Sequence, residues 1–464
     1  MQWLTTSGNP EAALDSFIRQ FNRTADGSAA AALRYGLRQY YLPGQPVLEL
    51  LAVVSVASQD SESLTHILIT DQVERASALL EVERKNTADV LSYLAQQLKT
   101  PVFDLSAPLL LSPVLIPKPW GQEIWYTGIE QRGQSLIGDG RHVIPLPWLL
   151  SLLPQRILGD TLTGVHLLKI LDPLPEPVYG DLYFELHERK QEVYVVTAVD
   201  EVAWPGGEGG IRFAFNPAVR AEYVSDTDFR NAFLAAVKRY ETVRREIDRV
   251  FDDWRLAEGF DSNEPVPAET LKRWQQQLPE DVVHTEQALR VAMNRFTGFQ
   301  PLHIGDVLKV PCLTPHALQH GVRAIEFQTP VYERKILSFA QKVLTQAHWD
   351  TAQAVELMTL QPPPAAKFPV LEQSSDVRRE SVVQFDDFSV ERITLAPGAG
   401  WAVPATAQYG LLMVVSGRVV VAGVDLTAEQ AVLMPACRTF ASIRNGGERP
   451  VVLLLSLPTP KTTL

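Results

Sequence analysis

The chain has 464 residues, 46% of them hydrophobic and 21% charged, which is ordinary for a water-soluble globular protein of two to four domains. Lys and Arg number 42 against 54 Asp and Glu, a net charge of −12, and no block of like charge stands out, which argues against a nucleic-acid or anionic-membrane partner. Two cysteines, Cys312 and Cys437, exclude a disulfide framework, no apolar run reaches bilayer-spanning length, and the start "MQWLTTSGNPEAALDSF" has no signal-peptide pattern, so a cytoplasmic protein is expected.

In chain order, residues 1–107 read as a mostly helical N-terminal extension. "NPEAALDSFIRQFNR" offers Asn9 as N-cap and Pro10 at the first helical position. "GSAAAALRYGLRQYY" and "NTADVLSYLAQQL" carry helical spacing, whereas "PVLELLAVVSVAS" is ambiguous between buried helix and strand. From residue 108 prolines multiply, and "HLLKIL", "DLYFELH", "EVYVVTAV" and "IRFAF" predict strands. Residues 226–297 predict a helical insertion opened by the long amphipathic stretch "DTDFRNAFLAAVKRYETVRREIDRVFDDWRL". Strand texture resumes over 298–345, a helix and linker occupy 346–377, and a last β-rich unit covers 378–464.

Two stretches carry the candidate chemistry. In "GDLYFELHERKQEVYVV", Tyr183, Glu185 and His187 alternate with Leu182, Phe184 and Leu186, so the polar set shares one face of a strand. Taken alone, that face fits a solvated hairpin as well as a ligand set. Four residues separate Gly180 from Glu185, and four separate His187 from Glu192; Glu188 to Gln191 predict a hairpin returning Glu192 on the neighbouring strand. In "GDVLKVPCLTPHALQH", five residues separate Gly305 from Pro311, four separate Pro311 from His316, and three more lead to His320.

These spacings resemble the two signature motifs of the cupin superfamily, in which histidines and a glutamate meet around one divalent metal. Two departures stand out: Glu185 occupies the place of the usual first histidine, and Leu313 that of a glycine. Two imidazoles and two carboxylates, from His187, His316, Glu185 and Glu192, suit Zn²⁺, with Mn²⁺ or Fe²⁺ as alternatives. His320 reads as a supporting or surface residue.

Longer stretches resemble the class I mannose-6-phosphate isomerases: "PLLLSPVLIPKPWGQEIW", "LPWLLSLLPQRILGD", "HLLKILD", "RKQEVYVV" and "VPCLTPHALQHGVRAIEFQTPVYERKILSF" follow in that family's order. The likeness covers about 108–460. It implies a mainly β fold with two cupin jelly-roll barrels, the first formed by 108–225 and 298–345. It also implies that Glu185, His187, Glu192 and His316 hold the metal, and that Lys190, Glu326 and Arg334 are catalytic. The implied reaction is metal-dependent aldose–ketose isomerisation of a phosphorylated hexose, with a sugar phosphate as the small-molecule partner. The family's Gln-Val-His-Pro string is missing. Two other readings therefore stay open: a non-catalytic cupin that binds a sugar or sugar phosphate, and another metal-dependent cupin enzyme.

The last unit repeats the second motif in degraded form, with four residues separating Pro435 from Phe440 at the ligand position, and so predicts a metal-free barrel. Trp120 and Trp125 read as core or wall aromatics, Lys118 as an exposed lysine, Cys312 as a small buried residue, and "GGEGG" at 206–210 as a turn.

Overall fold

A computed structural model describes residues 1–6, 8–24, 27–59, 62–82, 90–364, 367–403, 406–436 and 441–460. The chain divides into two compact units. The first comprises Met1–Val114, Trp125–Leu168 and Phe368–Leu464, the second Leu115–Ile124 and Lys169–Lys367. Among the described residues no helix is long and apolar enough to cross a membrane.

The N-terminal segment departs from the mostly helical expectation. Pro10–Thr24 is a helix, and the Asn9 side chain accepts a hydrogen bond from the Ala12 N–H at 3.0 Å, the expected cap. The alanine-rich stretch, however, is the strand Ser28–Arg38, paired antiparallel with Val47–Gln59 in a five-stranded sheet. Alanine favours helix intrinsically, but both faces of this strand are covered. Ala30 and Ala32 pack with Leu94 and Leu98 of the helix Val90–Leu98, and Ala31 and Leu33 are fully buried as well. Small residues suit such a two-sided strand, and tertiary packing overrides propensity.

The same unit holds a nine-stranded sheet and a four-stranded sheet around an aliphatic core that includes Ile393, Leu412, Val432 and Leu453. The nine-stranded sheet takes in Leu109–Ser112, Leu136–Gly138 and Val143–Pro145, which the sequence grouped with the metal-bearing barrel. Phe440, the expected stand-in for a ligand, lies outside the described residues.

In the second unit, a six-stranded sheet and a five-stranded sheet enclose a core that includes Tyr194, Val196, Phe213 and Leu318. The helical insertion is present as Asp226–Ala257, Ala268–Gln275 and Glu280–Asn294. Ser225 caps the first of these by accepting from the Asp228 N–H. The Phe233 ring of that helix packs edge-on to Phe184, so the apolar side of Phe184–Leu186 is covered by the insertion. Glu185 and His187 therefore face inward.

Candidate metal centre

Three candidate ligands come from the five-stranded sheet. Glu185 sits directly opposite His316 in the pairing of Phe184–Leu186 with His316–Leu318, and His187 follows one residue beyond the strand. Ligand atoms of Glu185, His187 and His316 all lie within 4.8 Å of one another. Glu192 does not return on a neighbouring strand as the hairpin expectation had it. Residues 187–191 cross to the facing sheet, where Glu192 pairs with Val310 and Gln328. Its carboxylate then meets both imidazoles from the opposite side, at 3.4 Å from His187 Nε2 and 3.1 Å from His316 Nε2.

Each imidazole is oriented through its Nδ1. His187 Nδ1 donates to the Glu333 carbonyl at 2.9 Å, and His316 Nδ1 donates to the Thr314 carbonyl at 2.9 Å. A carbonyl can only accept, so each ring carries a proton on Nδ1 and turns Nε2 toward the carboxylates. Both Nε2 atoms are buried and make no hydrogen bond, and Glu185 Oε2 is in the same condition. Burial is the main force pushing the His187 imidazolium well below its usual range, which keeps the ring neutral. Two fixed imidazoles with unbonded Nε2 atoms beside carboxylates are a donor set that fits zinc, manganese or ferrous iron.

The loop before His316 is held in an unusual conformation. Leu313, at the place of the motif glycine, adopts φ +64°, its N–H donates to the His187 carbonyl, and its own carbonyl accepts from Thr359. The left-handed turn is thus kept without the glycine, at a steric cost of roughly 1–2 kcal/mol.

Across the facing sheet runs a row of buried charge. Lys118 Nζ is 3.3 Å from Glu123, Lys169 is 3.6 Å from Glu123 and 3.2 Å from Glu326, and Lys190 is 2.6 Å from Glu192. All six side chains are at least nine-tenths buried. Lys118 is therefore not the exposed lysine the sequence suggested, because Glu123 compensates its charge. Burial would raise the Glu192 carboxyl, but the adjacent Lys190 ammonium is the chief opposing influence, and Glu192 is held well below the usual range. Glu326 is shifted the other way, raised by burial and by the Glu192 charge. Burial opposes the Lys169 charge, yet Glu123, Glu326 and Glu192 together keep that ammonium above its ordinary value. Lys169 and Glu123 were not singled out in the sequence. The only local signal was a charged residue inside the apolar run "HLLKIL".

Arg334 borders the ligand set, with Nη1 3.6 Å from Glu185 Oε2 and its guanidinium 4.5 Å above the Tyr183 ring. Nη2 donates to Thr345 at 2.8 Å. Lys190 and Glu326 lie in the charge row, so all seven residues singled out in the sequence fall in one neighbourhood. His320 lies apart, bonded to Asp181 at 2.6 Å and stacked on Trp204. Trp120 and Trp125 are fully buried, and Cys312 is half-buried, its thiol donating to the Lys190 carbonyl at 3.6 Å.

No protein-family model matches the chain, and no curated protein is similar to it. Among solved structures, mannose 6-phosphate isomerase from Bacillus subtilis superposes with a TM-score of 0.52 at 14% identity, over 76% of this chain and 99% of that one. A zinc-bound mannose 6-phosphate isomerase gives a TM-score of 0.49 at 12% identity, over 76% of this chain and 100% of that one. A single-residue mutant of phosphomannose isomerase from Salmonella typhimurium gives 0.48 at 14%, over 75% and 99%. At such identity the first of these likenesses shows a shared fold alone. That fold is mainly β, with cupin-type sheets and helical additions, as the sequence led one to expect.

Proposed function

We propose that this protein is a divalent-metal-dependent aldose–ketose isomerase acting on a phosphorylated hexose, of the mannose-6-phosphate to fructose-6-phosphate type. The observation that carries the reading is the pair of bare, buried Nε2 atoms of His187 and His316, converging with Glu185 beside the fixed cation of Arg334. Glu185, His187 and His316 would hold the ion, with Glu192 as a fourth donor from the facing sheet. When bound, the ion supplies Lewis acidity toward the sugar oxygens. Arg334, stacked on Tyr183, sets a preorganised positive charge where enediolate charge develops as a proton moves between C1 and C2. Glu326, whose carboxyl is raised by burial and by the Glu192 charge, is the candidate group for handling that proton. Lys190 balances Glu192 and so limits the negative charge around the ion.

One observation favours a second reading. The Lys190 ammonium, 2.6 Å from Glu192, already satisfies the carboxylate that would complete the ligand set. A protein that binds sugar phosphate without turning it over accounts for that contact. Metal analysis of purified protein, coupled to an assay of mannose-6-phosphate conversion, separates the two. Bound metal with turnover supports the isomerase. Bound metal without turnover on any hexose phosphate leaves the binding protein.

A further inference from the structure

A cavity of about 270 Å³ lies where the three helices of the insertion meet the loops at 177–179 and 340–344. None of the metal-centre residues lines it. Lys335 pairs with Leu186 and Ser338 with Phe184, so the chain that continues from Ser338 into 340–344 runs away from His187.

The walls are largely apolar, with Ile247, Phe251, Val266, Leu271 and Val283 among them. Into this setting come four cations, Arg244, Arg255, Arg290 and Lys342, but only three carboxylates, Asp248, Asp252 and Glu286. Three cations have carboxylate partners: Arg244 with Asp248 at 2.9 Å, Arg290 with Glu286 at 3.0 Å, and Lys342 with Asp252 at 2.6 Å. Arg255 is the odd one. It is 6% exposed, its Nη1 donates only to the Asp261 and Glu264 carbonyls, and its buried Nε has no hydrogen-bond partner. Its nearest carboxylate oxygen, on Asp252 at 3.9 Å, is the one that holds Lys342. A second polar atom is also bare. Gln341 is 6% exposed and donates Nε2 to the Tyr179 carbonyl at 2.7 Å, but its Oε1 accepts nothing.

A buried guanidinium whose Nε has no hydrogen bond and whose nearest carboxylate is shared with Lys342, and an unsatisfied buried acceptor, each cost stability unless something binds them. We propose that the cavity is a second small-molecule site, distinct from the metal centre, for an amphipathic monoanion. The ligand would total roughly fifteen heavy atoms, combining an apolar body, a carboxylate for Arg255, and one N–H or O–H donor for Gln341. A dianionic phosphate fits less well, because only one cation is in surplus.

Indole-3-propionate has these features and serves as the probe, with its neutral amide as control, in calorimetric titration of the full-length protein. Saturable one-site binding of the acid is expected, with the amide weaker by about tenfold. Arg255→Met and the cavity-filling Val283→Trp should each weaken the acid by about tenfold or more, with metal content unchanged. Three results would overturn the proposal: no binding of the acid at millimolar concentration, equal binding of acid and amide, or undiminished binding to Val283→Trp. Val283 is partly exposed on its helix, so that variant decides the matter even where Arg255→Met fails to fold.

Discussion

Glu333 grips the chain around His187 twice. Its carbonyl accepts from His187 Nδ1 at 2.9 Å, and its carboxylate Oε1 accepts from the backbone N–H groups of Glu188, Arg189 and Lys190 at 2.9, 2.8 and 3.2 Å. One residue thus fixes both the ring and the crossing that delivers Glu192. Supporting contacts of this kind commonly contribute about 10–100-fold to metal affinity. Glu333→Ala should weaken zinc binding by that order while far-ultraviolet dichroism stays unchanged, as measured by competition with a chromophoric chelator. Unchanged affinity would show that the crossing holds itself.

The ligand set can be tested through stability. His187→Ala and His316→Ala should each abolish stoichiometric zinc. In the wild type, chelation should lower the melting temperature, because an ion bound only by the folded state stabilises by about 2.7 kcal/mol at a hundredfold excess over Kd. The two variants should show no such response. A chelator-induced drop that survives in both would place the ion elsewhere.

Arg334 is held by Glu185, Tyr183 and Thr345, whereas Glu333 is occupied with backbone N–H groups, so the two neighbours in sequence do not pair as an idle surface couple. Arg334→Ala should keep its metal and lose about 10²–10³ in turnover. Loss of metal together with turnover would make Arg334 a support for Glu185 instead.

Lys190→Met separates charge balance from ion binding. Removing the ammonium frees the Glu192 carboxylate, so zinc affinity should rise, by about tenfold for one buried charge contact, while turnover falls. Zinc affinity that drops would mean that Lys190 is needed to position Glu192.

His166, in the first unit, reports on acid stability. It is fully buried against Phe388 and Tyr409, and burial pushes its imidazolium down to about 3. The unfolded chain binds a proton near pH 6.5 and the folded chain does not, so stability is complete above that pH and falls as pH drops toward 3. Between pH 6.5 and 5 the loss is about 2 kcal/mol. His166→Leu should flatten that part of the urea-midpoint profile; an unaltered slope would assign the acid sensitivity to other groups.

The sequence resolved what depends on short-range pattern. Alternation put Glu185 and His187 on one strand face, and Asn9 marks a real helix start. It failed where partners distant in the chain decide. The alanines at 29–32 become strand because both of their faces are covered, and Lys118 is buried because Glu123 lies beside it in the fold. Glu192 reaches the site by crossing between sheets, a route that spacing cannot distinguish from a hairpin. Lys169 had no motif around it, and only the pairing of strands shows that it stands between two glutamates.

The strand His316–Leu318 lies between Phe184–Leu186 and Gly209–Phe215, yet it is made after the entire helical insertion. During synthesis both of those earlier strands wait with an unfilled edge until it arrives. Unpaired edges of this kind invite pairing with other chains, and contacts this distant in sequence form slowly. The three-residue segment that carries a candidate ligand is therefore also the one that joins the two earlier strands, so truncation just before His316 should yield an aggregating chain rather than a smaller soluble one.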